Sequence, residues 1–79
     1  MNSLEYLLLV IYNYLKSIED SDDSDILFNT INGKWDGYVI MDDIVAELFS
    51  RGAITDQANI PNSEDYIYDA NINGYRRAN

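Results

Sequence analysis

Fourteen carboxylates, seven tyrosines and five cations, with neither histidine nor cysteine, are the chemically capable side chains of this 79-residue chain. Positioned carboxylates can act as general acids and bases or hold a metal ion that activates water. Fourteen acids in so short a chain, however, make accidental pairs certain, so a pair alone names no reaction. Without imidazole there is no Ser-His-Asp triad and no histidine metal ligand. Without thiols there is no disulfide framework, zinc knuckle or cysteine nucleophile. Metal nucleases commonly carry a lysine two residues after a carboxylate, but the residues two before Lys16 and Lys34 are Tyr14 and Asn32. The four glycines fit neither a phosphate-binding loop nor a dinucleotide fingerprint. No catalytic residue, metal ligand or cofactor is expected, and the chain reads as a non-enzyme.

Calcium is the one metal whose ligand pattern is approached. Residues 32–43 can be laid on a twelve-residue EF-hand loop, with Asn32 first, Asp36 fifth, Gly37 sixth, Val39 eighth and Asp43 last. Such a loop needs oxygen donors at positions one, three and five and a bidentate glutamate at twelve. Here Lys34 takes position three and the shorter Asp43 takes position twelve. A second start, Asp69-Ala70-Asn71-Ile72-Asn73-Gly74, has the right first half but places Arg76 and Arg77 at positions eight and nine. The chain resembles a degenerate EF-hand pair and matches it poorly. Turn chemistry explains the same Asn, Asp and Gly residues, and calcium binding stands third among the readings.

The acids themselves are a stronger feature. Asp20, Asp22, Asp23 and Asp25 put four charges into six residues, and Asp42 and Asp43 follow a short way on. Brought together they would form a dense anionic patch whose short side chains hold charge near the backbone. Carboxylates so spaced could occupy the cationic groove of a nucleic-acid-binding protein; the plainer alternative is a solvated surface that keeps the chain soluble. Tyrosine is the second feature, because it buries area cheaply and keeps a polar tip. Tyr66, Tyr68 and Tyr75 are the candidates for contact with an arginine-rich surface, against the alternative that they simply pack their strands.

These residues need a scaffold, and its elements are partly legible. Leu4, Leu8, Ile11, Leu15 and Ile18 are spaced 4, 3, 4, 3, which predicts an amphipathic helix over 3–19, capped by Ser3 and widened by Leu7 and Tyr14. Its apolar seam faces the core or a second copy of the chain. Residues 20–25 read as a loop. Asn32-Gly33 predicts a hairpin over 26–41, with Ile26, Phe28, Thr30, Trp35, Gly37, Val39 and Met41 on one face. A competing reading runs a short helix from Ser24 to Asn32 with Gly33 behind it. A second helix is expected over 42–51, opened by Asp42 and Asp43 and stopped by Gly52, with Ile44, Val45, Leu48 and Phe49 buried. Residues 53–65 form a long connection in which Pro61 bars regular structure. Asn73-Gly74 predicts a last hairpin over 66–79. Its one face holds Tyr66, Tyr68, Ala70, Ile72, Tyr75 and Arg77, and its other carries a diagonal Asp69–Arg76 ion pair. The order helix, hairpin, helix, hairpin describes one small α+β domain over 1–79, its helices packed on a short antiparallel sheet.

Charge limits the partners. The net charge of −9 repels phosphate backbones and anionic membranes, so neither direct nucleic-acid binding nor membrane docking is expected. The longest apolar run, Leu7 to Ile11, is far short of a bilayer span and lacks the flanks of a signal peptide. A cytoplasmic protein is the simplest expectation.

Small size, acidity, abundant Tyr and Asn and the missing catalytic types together resemble small phage-encoded inhibitors of host defence, the anti-CRISPR and anti-restriction proteins of the DNA-mimic kind. The resemblance is one of composition, with no motif behind it. It implies an inhibitor that blocks the DNA-binding site of a basic host protein, such as a nuclease or CRISPR complex, in the host cytoplasm. The alternative is a small accessory protein, a homodimer or larger homo-oligomer joined through the first helix or the last hairpin.

Overall fold

The computed structural model describes residues 1–19 and 37–78. Helix α1 spans Ser3–Glu19 and helix α2 spans Gly37–Ser50. A single 3-10 turn, Ser63–Asp65, leads into strand β1, Tyr66–Asp69, which pairs antiparallel with β2, Gly74–Arg77. Two helices and a two-stranded sheet make a small α+β domain, as the sequence predicts.

The start of α1 is closed by Asn2 rather than Ser3. The Asn2 carboxamide oxygen accepts from the Glu5 N–H at 2.8 Å, and the Glu5 carboxylate accepts from the Asn2 N–H at 2.8 Å. This reciprocal box satisfies two backbone donors that the first helical turn would otherwise leave open. Glu5 is buried there, and Arg51 approaches its other oxygen at 3.9 Å while bonding Glu47 at 2.6 Å. The start of α1 and the end of α2 are thus joined through one guanidinium.

Helix α2 begins five residues earlier than expected. Residues 37–41 are its first turn and not the returning arm of a hairpin, so Gly37, Val39 and Met41 do not share a strand face. The reason lies in the packing. Gly37, Met41, Ile44 and Leu48 are all buried and fall at intervals of 4, 3 and 4, a continuous helical stripe. Asp42 and Asp43 consequently sit in the second turn, away from the positive helix end. The other residues of the expected first hairpin, 26–36, and the competing Ser24–Asn32 helix lie outside the described residues. At its far end α2 stops as predicted. Gly52 has φ +73°, the Gly52 N–H bonds the Phe49 carbonyl and the Ala53 N–H reaches back to Leu48. This pattern is a Schellman closure, in which only glycine is unstrained.

The core is Leu9 of α1, Ile44 and Leu48 of α2, and Ile54 of the connection, with Leu8, Tyr12, Ile40, Ile60 and Tyr66 packed around them. Leu15 and Met41 are also buried, whereas Phe49, expected inside, is exposed. Helix α1 is rotated from the expected seam: Leu9 faces the core, and Leu4, Leu7, Ile11 and Tyr14 face outward.

In the last hairpin Tyr66 pairs with Arg77 and Tyr68 with Tyr75. Residues 70–73 form a four-residue connection, not the two-residue turn expected at Asn73-Gly74. Each arm is shortened by two residues, so the side-chain alternation is preserved and the expected faces survive for the strand residues. Ala70 and Ile72 leave the sheet. Asn73 supplies the left-handed turn residue, with φ 50°. Gly74 is needed for a different reason. A Cβ there would stand 2.7 Å from the Met1 carbonyl oxygen. The Tyr75 N–H donates to that same oxygen at 2.7 Å, and the Met1 nitrogen donates to the Tyr75 carbonyl at 2.8 Å. Met1 therefore pairs with β2 as an adjoining strand residue would.

Candidate partner-binding surface

Asp42 and Asp43 are exposed on α2. Asp42 lines an open cleft of about 420 Å3 between the helices, together with Tyr12, Lys16, Glu19, Tyr38 and Gln57. Lys16 is held by Glu19 at 2.9 Å on the same wall. Asp20, Asp22, Asp23 and Asp25 lie outside the described residues, but Glu19 directly precedes them, so the chain enters that segment from the cleft that Asp42 lines.

The cations are committed elsewhere. Arg51 serves Glu47 and Glu5, and Arg76 donates to Asp69 at 2.9 Å. Arg77 lies 5.8 Å from the Tyr66 ring centroid, in cation–π range. Among the described residues, Asp42, Asp43, Asp56, Glu64 and Asp65 have no described cation within ion-pair distance. Surface carboxylates left this way keep their charge available to a partner.

The tyrosines divide differently from expectation. Tyr66 is half-buried against the core and Tyr75 is stacked face to face on Tyr6, leaving Tyr68 as the exposed member of the hairpin set. Tyr68 meets the Tyr75 ring edge-on at 5.5 Å, and its hydroxyl donates to the Asn73 side chain. The hairpin docks near Tyr6, while the acidic cleft lies at Glu19. Thirteen residues of helix separate them, about 20 Å at 1.5 Å per residue. Tyr66, Tyr68 and Tyr75 are therefore not brought beside Asp42. The aromatic side chains that do stand there are Tyr12 and Tyr38. Tyr38 could have been found by continuing the Ile44–Leu48 stripe upstream through Met41 to Gly37.

Asp69 is the carboxylate whose proton affinity is clearly altered. The Asn71 backbone N–H and the Arg76 guanidinium both bond its anion, which lowers its pKa below the ordinary 3.8. Those bonds also occupy the first donor of the second calcium-loop start. In the first start, residues 37–43 run as helix from the glycine that would have to make the loop's sharp turn. Among the described residues no three acids cluster as a metal site. No helix among them is long and apolar enough to cross a membrane.

The chain matches no known protein family, no curated protein and no solved structure.

Proposed function

We propose that this is a non-enzymatic binding protein whose acidic end occupies the basic nucleic-acid-binding site of a partner, such as a nuclease or CRISPR complex in a host cytoplasm. The observation that carries the reading is the pairing of exposed Asp42 and Asp43 with the cleft from which the chain enters Asp20, Asp22, Asp23 and Asp25. Carboxylates there stand where phosphates would lie, and Tyr12 and Tyr38 supply the aromatic surface for arginine stacking. The compositional resemblance to DNA-mimic inhibitors points the same way.

Electrostatic steering of this kind is screened by salt. The test is affinity capture from a host lysate at low and high salt, followed by competition of duplex DNA against the captured partner. Reversing Asp22, Asp23, Asp42 and Asp43 to Lys is expected to abolish capture, and DNA is expected to displace the wild-type protein. Capture that survives both the reversal and high salt would overturn the proposal.

A further inference from the structure

The outward face of α1 carries Leu4 (49% exposed), Leu7 (53%), Val10 (37%), Ile11 (37%) and Tyr14 (60%). Leu4, Leu7, Ile11 and Tyr14 are spaced 3, 4, 3, the interval of a two-heptad coiled-coil seam. Such a stripe on a protein surface exposes on the order of a few hundred Å2, the size at which an apolar patch marks a contact.

We propose that this stripe joins two copies of the chain, with their α1 helices antiparallel about a two-fold axis between Leu7 and Ile11. Charge selects the occupant. The flanking positions of the seam are Ser3, Leu8, Val10, Leu15 and Ser17, all uncharged. A face free of acids is the one place where two chains of charge −9 can meet without carboxylates opposing one another. A basic partner gains nothing from such a face. An anionic membrane is repelled by the whole molecule, and the stripe lacks the Lys and Arg margins of an interfacial helix.

Charge also selects the orientation. The acidic segment follows Glu19, so parallel helices would bring two acidic ends together. Antiparallel helices carry them to opposite poles and oppose the helix dipoles favourably. The register follows from the spacing. Leu7 of each copy meets Ile11 of the other, and Leu4 meets Tyr14, because both pairs are centred on the same point of the helix. The contact is isologous. Twice the patch area falls below about 1,200 Å2, the range of weak and reversible association.

Sedimentation over a concentration series tests the contact. A reversible monomer–dimer equilibrium is expected, weakened at least tenfold by Leu7→Glu or by the neutral double variant Leu7→Gln, Ile11→Gln, with helix content unchanged. High salt is expected to leave it intact, which separates it from the salt-sensitive partner binding proposed above. The chain has no cysteine, so single thiols can be placed cleanly. Leu4→Cys mixed with Tyr14→Cys is expected to cross-link with a short bismaleimide. Neither variant alone should do so, since like positions lie about 15 Å apart along the axis. A chain that stays monomeric at every concentration, or a dimer unaffected by both variants, overturns the proposal. Efficient Leu4→Cys homotypic cross-linking, or flotation of the wild type with neutral phosphatidylcholine vesicles, does so as well.

Discussion

The rings of Tyr6 and Tyr75 lie 3.9 Å apart between centroids and within 3° of parallel. One belongs to the first helix and the other to the last strand, so a single aromatic contact fastens the hairpin to α1. The Tyr6 hydroxyl extends the attachment by reaching the Ser63 carbonyl at 3.4 Å. Neighbouring bonds do the same for the long connection: the Asn13 carboxamide accepts from Ser63 N–H at 2.6 Å and donates to the Pro61 carbonyl at 3.2 Å.

The Tyr6–Tyr75 stack predicts coupled losses. Tyr6→Ala and Tyr75→Ala should each destabilise by about 2–4 kcal/mol, since large aromatic truncations cost this much where packing cannot relax. A double-mutant cycle in urea should return about 0.5–1.5 kcal/mol of coupling. Fully additive losses would show that the rings merely lie near each other.

Gly74 predicts a steric cost. Gly74→Ala sets a methyl 2.7 Å from the Met1 carbonyl oxygen, which is backbone and cannot rotate away. A loss of about 1–3 kcal/mol is expected, as for other overpacked sites. Gly52→Ala should cost about 1 kcal/mol through its positive φ alone, with open space around the new Cβ. Thermal melts of the two variants distinguish clash from conformational strain.

Asn13 predicts an asymmetry between its two bonds. Asn13→Ala leaves the Ser63 N–H unpaired at a buried residue and should cost about 1–3 kcal/mol. Asn13→Asp retains the acceptor for Ser63 but opposes the Pro61 carbonyl with a second oxygen. It should therefore lose stability at neutral pH and recover part of it in acid, where the protonated acid can donate. A denaturation series against pH checks the recovery.

Asp69 predicts part of the acid sensitivity. Its folded-state pKa is lowered, first by the Asn71 N–H and then by Arg76, so its anion stabilises the fold fully above the unfolded value near 3.8. That contribution is lost as pH falls through the lower folded value. Asp69→Asn should flatten the stability profile below pH 3.8 while reducing stability above it, as measured by denaturant titration at each pH.

What the sequence made legible depended on how many answers each pattern allowed. The Asp69–Arg76 pair and the closure at Gly52 each rest on one local rule, and both stand in the structure. Helix α1 offered two stripes, because Leu7, Leu8 and Leu9 run consecutively and cover most directions around the axis. Its rotation is fixed by contacts remote in sequence. Glu5 is drawn to Arg51 and Asn13 to Ser63, neither of which a spacing rule contains. The start of α2 was obscured by Val39, Ile40 and Met41, a short apolar run that suits a strand as well as a helix turn. Of the candidate surface, Asp42 and Asp43 were legible as exposed acids. The separation of the tyrosine hairpin from them was not, because it depends on which end of α1 the hairpin docks against.

Met1 and Tyr75 bond one another across 74 positions of chain, and this sets the order in which the molecule can be completed. On the ribosome, α1 emerges well before the strand that anchors it, and long-range closure of this kind slows folding. Through that interval Leu9 is as bare as Leu7, so a nascent chain shows apolar side chains on two opposite faces of one helix. The newly made protein is then open to capture by chaperones or by other nascent copies, a hazard that ends when Tyr75 reaches Tyr6.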